Sequence, residues 1–293
     1  MAWSPAGEES EGRHTVDSRI ARVFPRRTAA TPTDELSFIG GPGLFPPEVD
    51  AVHVSVAFSW DMPRAEELAR EWAPVAPVSV GGPAMGEPGG DFTPGLYLKH
   101  GYVITSRGCP NRCWFCTVPS REGDLRELPI SDGWNLLDDN ILACSDAHIK
   151  AVFAMLRRQP HPAEFTGGIE AARLREWHVS ELCSLRLKQL FLAYDEEADF
   201  EHLHRAAGLL RDAGLIRNGS HIARCYVLIG YPGDTEEAAE ERCHQVAKLG
   251  IMPMAMLYRA PGIADRPSLS WRRLQRQWAN PVILGATMKA TLT

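Results

Sequence analysis

Apolar positions along this chain follow two periods. Short β-branched runs fit strands, and between them apolar residues fall three and four apart, as on one face of a helix. The first fifty residues carry neither period: Arg22 to Thr28 and the Gly/Pro-rich Gly40 to Pro47 read as an irregular wrapping segment with turns. Ala51 to Phe58 then alternates like a strand. Asp61 and Pro63 open a helix with Ala65, Leu68, Ala69 and Trp72 on one face, and Val78 to Val80 makes a second strand ending at Gly81-Gly82-Pro83. Pro88 to Pro94 is the natural boundary. Beyond it, strands are predicted near Ile104, Leu136, Thr166, Phe191, Val227 and Ala255, recurring about every 30 residues. Helices fill the gaps. Ile149, Val152, Phe153 and Leu156 share a face before Pro160; Leu203, Ala207 and Leu210 do so before Gly214, a natural left-handed cap. Asp234 and Glu237 are spaced like a capping box opening another helix.

This alternation predicts an α/β fold with a parallel sheet and right-handed crossovers. An open doubly wound sheet and a curled partial barrel both satisfy it, and either gathers ligands at the carboxyl ends of the strands. The expected organisation is an irregular segment over 1–50, a small βαβ-like cap and connector over 51–94, the repeat over 95–260, and a C-terminal tail over 261–293. In that tail Trp271 to Trp278 is basic and aromatic, and predicts a helix with its tryptophans on the barrel bottom and its arginines in solvent.

Composition changes this picture little. The 293 residues are 44% hydrophobic and 23% charged, which is globular. A net charge of −6 gives no general pull toward nucleic acid or anionic lipid. No apolar run approaches the roughly 18 residues a membrane span needs, and the acidic start lacks the order of a signal peptide, so the cytoplasm is the expected compartment. The cysteines matter more. There are seven, an odd number ill suited to a disulfide framework, and three crowd into Cys109-Pro-Asn-Arg-Cys113-Trp-Phe-Cys116, directly after the first strand of the repeat. Gly108 and Pro110 let the backbone wrap tightly there. A zinc site normally closes with four ligands, a redox dithiol needs two, and an iron–sulfur cube on three thiolates leaves one iron without a protein ligand. Cys144, Cys183, Cys225 and Cys243 are scattered without chelating spacing and read as inert thiols. His202 and His204 sit two apart on a helix, on different faces, which argues against a shared metal.

Cys-x-x-x-Cys-x-aromatic-Cys after the first strand of a six-unit β/α repeat resembles the radical S-adenosylmethionine (SAM) superfamily, over roughly Tyr102 to Arg259. The resemblance implies a partial (β/α)6 barrel. It implies a [4Fe–4S] cluster on Cys109, Cys113 and Cys116, SAM on the fourth iron, and a one-electron donor such as flavodoxin or ferredoxin. Reductive cleavage of SAM would then give a 5′-deoxyadenosyl radical that abstracts hydrogen from an unidentified substrate. Phe115 matches the family's aromatic position beside the adenine, and is equally a hydrophobic plug. The superfamily's Gly-Gly-Glu-like turn after the second strand is missing: Asp138-Asp139 stands there, which looks more like the subgroup with an N-terminal cobalamin-binding domain. Asp138 or Asp139 would accept from the SAM ammonium, or cap the next helix. Gly167-Gly168, with Glu170 beyond, follows the third strand as a tight turn from which Glu170 could reach the ligand. Asp195 ends the fourth strand as a partner for ribose hydroxyls or a helix cap. Ile229-Gly230, before Tyr-Pro-Gly-Asp-Thr, is similar to the family's adenine-packing strand.

The strand–helix–strand of 51–83 looks like the last repeat of such a cobalamin domain. No Asp-x-His-x-x-Gly signature is present, and fifty irregular residues cannot complete the domain, so a cut-down cap without cobalamin is expected. An alternative reading is methyl or methylthio transfer, since Cys113 to Arg121 resembles the start of tRNA methylthiotransferases. The acidic charge and the lack of a second cluster motif or RNA-binding domain argue against it and against a nucleic-acid partner. A non-enzymatic, metal-stabilised binding module is the third reading, and predicts no SAM binding.

Overall fold

A computed structural model describes residues 19–217, 221–260, 267–280 and 284. The acidic start and most of the C-terminal tail lie outside them.

The cap is larger than the sequence pattern predicts. β1 (Ile20–Phe24), β2 (Ser37–Ile39), β3 (Ala51–Ser55) and β4 (Val78–Gly81) form one parallel sheet in the order β2-β1-β3-β4. The segment expected to be irregular therefore supplies two of the four strands. β1 is masked in sequence by Arg22, which is 6% exposed in a strand otherwise buried. Its guanidinium donates to the Gly95 and Leu96 carbonyls at 3.1 and 2.9 Å and pairs with Asp34. A cation tolerated by such distant partners leaves no trace in local hydropathy. α1 (Met62–Trp72) buries Ala65, Leu68 and Trp72 against this sheet, as its spacing predicts. Asp61 occupies the helix N-cap position without capping it; its carboxylate pairs with Arg26 instead.

The second sheet holds six parallel strands in chain order: β5 (Tyr102–Val103), then β8 (Asn135–Leu136), β9 (Ala163–Phe165), β10 (Leu187–Tyr194), β11 (Ala223–Ile229) and β12 (Met252–Leu257). Each lies at or one residue from its predicted centre. Between β5 and β8 the chain makes a two-residue antiparallel ribbon, β6 (Ser106–Arg107) with β7 (Arg126–Glu127), around a short α2 (Val118–Glu122). Helices α3 (Asp146–Arg158), α4 (Glu176–Cys183), α5 (Phe200–Asp212) and α6 (Glu236–Lys248) fill the later crossovers. This α/β arrangement with sequential parallel strands is compatible with a partial barrel. Ile149, Val152, Phe153 and Leu156 are buried on one face of α3, and Gly214 ends α5 at φ +71°. The core of this sheet is separate from that of the cap.

Two local expectations shift. The N-cap of α6 is Thr235, whose hydroxyl accepts from the Ala238 N–H at 3.2 Å; the Asp234 carboxylate is drawn away by Arg242, at 2.8 Å. α7 (Leu269–Ala279) packs on the edge strand β12 and buries Trp278, with Arg272, Arg273 and Arg276 exposed. Its Trp271, however, lies over Gly230 at the carboxyl end of β11, not at the barrel bottom, because the glycine leaves a gap an indole can fill. Among the described residues no helix is long and apolar enough to cross a membrane.

Candidate functional site

The cysteine loop leaves β5 under the control of two neighbouring carboxylates from the end of β8. Asp138, 1% exposed, accepts from the Thr105 N–H and hydroxyl, each at 2.6 Å, and from the Ser106 hydroxyl at 2.7 Å. Burial pushes its pKa up against those donors. Asp139 accepts from the Gly108 N–H at 2.9 Å and lies 3.6 Å from the Arg121 guanidinium; burial raises its pKa too. Gly108 has φ +85°, and a Cβ there would stand 2.5 Å from the Asp124 carbonyl oxygen. Asp138 is thus committed to the backbone of the loop and is neither free for an ammonium nor a helix cap; the cap of α3 is Ser145. Both carboxylates shape the turn that presents Cys109.

Cys109, Cys113 and Cys116 line one cavity of about 370 Å³, together with Pro119, Ser120 and Gly123 of α2 and its flank. All three are free thiols; Cys113 is exposed and the other two half-buried. Burial, then the neighbouring Cys116 and Asp195, push the Cys113 thiol up to about 11, and burial raises Cys116 as well. Asn140, buried just after the aspartate pair, donates to the Cys109 sulfur at 3.3 Å and to Glu170 at 2.6 Å, while its Oδ1 has no partner. Glu170 also accepts from Arg173 at 2.7 Å. The structure therefore joins Glu170 to the cysteine loop through Asn140, a residue no sequence signal had marked.

The remaining predicted residues divide. Phe115 stands edge-on to Trp114 at 5.4 Å, and Trp114, 52% exposed, extends the cluster to Tyr231 and Tyr258 beyond the ends of β11 and β12. Its indole N–H donates to Glu196. Asp195 sits near the thiols, pushed up to about 7 by burial and by Asp199 and Glu196; Asp199, not Asp195, holds the N–H groups of the following turn. Gly167 packs against the β8 end, where a Cβ would meet the Asp138 carbonyl oxygen at 2.6 Å, and Gly168 turns at φ +90°. Gly230 is in the left-handed region at φ +72° because its N–H donates to Asp234, but its open side faces Leu257 and Trp271. Ile229 is buried. That pair is filled by protein rather than open to a base.

The donor set can be tested against a metal group. Among the described residues no three Cys, His, Asp or Glu side chains are close enough to chelate a single metal ion. The three thiols do share one cavity. Three soft donors are one short of the four that close a zinc site but suit an iron–sulfur group with one iron free of the protein, and binding would have to strip the protons that burial holds on Cys113 and Cys116.

No family model matches the chain. It is similar to the tRNA-2-methylthio-N(6)-dimethylallyladenosine synthases of Acidothermus cellulolyticus, at 27% identity over 50% of this chain and 35% of that protein, and of Halorhodospira halophila, at 28% identity over 51% and 38%. It also resembles the ribosomal protein uS12 methylthiotransferase of Delftia acidovorans, at 45% identity over 17% of this chain and 10% of that one. The matches span little more than a third of the two tRNA enzymes and a tenth of the third relative. They bear out the radical SAM resemblance carried by the cysteine motif.

Proposed function

We propose, from this kinship with methylthiotransferases, that the chain is a radical SAM enzyme that inserts a methylthio group into a nucleotide of RNA. The observation that carries the reading is the convergence of Cys109, Cys113 and Cys116 on one cavity at the carboxyl ends of the strands. A [4Fe–4S] cluster on these thiolates, with SAM at its remaining iron, would supply one-electron cleavage of SAM and hydrogen abstraction from the substrate. The chain's own residues set the stage. Asp138 and Asp139 fix the path into Cys109, and Asn140 donates to its sulfur, a contact that stabilises thiolate character. Trp114, Tyr231 and Tyr258 give the mouth an apolar rim that limits water. Asp195 and Glu170 are the carboxylates left to receive hydroxyl or ammonium groups, and flavodoxin or ferredoxin is the expected electron source.

Relatives named for tRNA outweigh the objection from net charge, since a face can be locally basic in an acidic chain. A second reading keeps hydrogen abstraction without sulfur transfer. It is favoured by the other four cysteines: Cys144, Cys225 and Cys243 are buried and Cys183 stands apart, with no second trio to hold a sulfur donor.

Anaerobic reconstitution with iron and sulfide, followed by reduction with SAM and total tRNA, tests both. Iron bound per chain, free 5′-deoxyadenosine and a methylthio gain on a tRNA nucleoside are expected, and Cys109→Ala should abolish all three. Deoxyadenosine with unmodified tRNA selects the second reading. A folded chain that retains no iron overturns both.

A further inference from the structure

The geometry points to a second ligand site, in the chamber between the cap and the barrel, that takes an uncharged, mainly apolar small molecule or moiety. The chamber encloses about 550 Å³, within the roughly 300–1,000 Å³ usual for small-molecule sites. Its position follows from topology. The order β2-β1-β3-β4 reverses winding between β1 and β3, and a reversal opens a crevice at the carboxyl ends of those strands. Phe24 at the end of β1 and Ala57 and Phe58 after β3 line it; across from them stand Ile104 and Leu137, just past β5 and β8. The carboxyl ends of two separate sheets thus face one space, and the connector closes its side with Phe92 and Leu96.

Charge decides the occupant. The chamber has three arginines, and each is already engaged. Arg26 pairs with Asp61. Arg121 donates to the buried Glu122 at 3.0 Å and lies 3.6 Å from Asp139. Arg107 donates to the Gly90 carbonyl at 3.0 Å and lies 3.7 Å from Glu122. Glu122 is held further by Arg126 and by the Gly89 N–H, which fastens the connector to α2. Two more lining carboxylates, Glu87 and Asp91, are exposed and have no cationic partner among the described residues. An anion entering here would leave water for apolar walls without an unpaired cation to meet it, at large cost. The surplus carboxylates sit in solvent, so they repel anions without demanding a buried cation. Phosphorylated ligands are excluded from the interior. An apolar body of moderate size is not.

The inference stands apart from the reading of the cysteine site, and its test needs neither iron nor SAM. The full chain is titrated with N-phenyl-1-naphthylamine, which is neutral, and with 1-anilinonaphthalene-8-sulfonate, the same aryl amine carrying one sulfonate, each followed by fluorescence. The neutral dye should bind saturably at one site, and the sulfonate at least about tenfold more weakly. Ala57→Trp and Thr93→Trp, which fill the chamber from the cap and from the connector, should each weaken the neutral dye about tenfold with circular dichroism and melting midpoint unchanged. Glu87→Lys combined with Asp91→Lys, both at exposed positions, should narrow the gap between the dyes. Equal or tighter binding of the sulfonate, absence of a saturable neutral site, or a folded filling variant with unchanged affinity overturns the proposal.

Discussion

The two parallel sheets of this chain are built from the same unit and end in different kinds of mouth. In the six-stranded sheet every crossover advances in the same direction, from β5 to β12, and the cysteine loop follows its first strand. In the cap the direction reverses after β2, and the opening is a crevice between β1 and β3. Fastening differs too. At the carboxyl ends of the six-stranded sheet, loop backbone is held by carboxylates out of contact with water: Asp138 at 1% exposure, and Asp234, whose side chain is 1% exposed beside Arg242 at 4%. In the cap the comparable carboxylate, Asp61, is 8% exposed, but its partner Arg26 is 53% exposed. At the first mouth both members of the Asp234–Arg242 pair are buried, whereas the crevice of the cap keeps one member of its Asp61–Arg26 pair in solvent.

Substitutions can break or sharpen that contrast. The largest loss should come from Asp234→Ala, which strands the Arg242 guanidinium in the core and frees the Gly230 N–H; urea unfolding should show about 3–5 kcal/mol. Gly108→Ala forces a side chain against the Asp124 carbonyl in a conformation that L-residues resist, and should cost about 1–3 kcal/mol. Iron retained after reconstitution should fall with it, because the turn into Cys109 is displaced. Arg26→Ala should cost less, about 1–2 kcal/mol by melting midpoint: the guanidinium is 53% exposed, so water can take its place beside Asp61, whose side chain is 8% exposed. A loss as large as that of Asp234→Ala would erase the contrast between the two mouths.

The smallest effect is one of pH. Burial, and then Arg175, hold the His178 pKa below its ordinary 6.5. The folded chain keeps this imidazole neutral, while the unfolded chain takes up a proton below that pH. Its contribution is therefore complete above pH 6.5 and lost as pH falls beneath it. His178→Asn, which keeps an acceptor for the Arg175 N–H, should flatten that part of the stability–pH curve.

The same contrast marks what the sequence made legible. The strands of the six-stranded sheet were readable because each is apolar and most are bounded by a helix of the other period. β1 and β2 were not, since one carries a buried arginine that bonds carbonyls more than seventy positions away and the other is three residues long. The cysteine trio was readable as a motif, and its meeting on one cavity needed only a tight loop. Asn140 and Trp114 were invisible as single residues; what distinguishes them is contact with Cys109 and with two tyrosines from distant strands. Asp234 was misplaced for a related reason, a long-range ion pair overriding a local cap.

One feature joins the two halves. α2 is five residues long, and its two sides look into different compartments: Pro119 and Ser120 toward the thiols, Arg121 and Glu122 toward the chamber. A partition one turn thick has no interior in which to absorb a displacement. A guest on one side that shifted it would be felt by a guest on the other, and thermodynamic reciprocity would make the two influences equal.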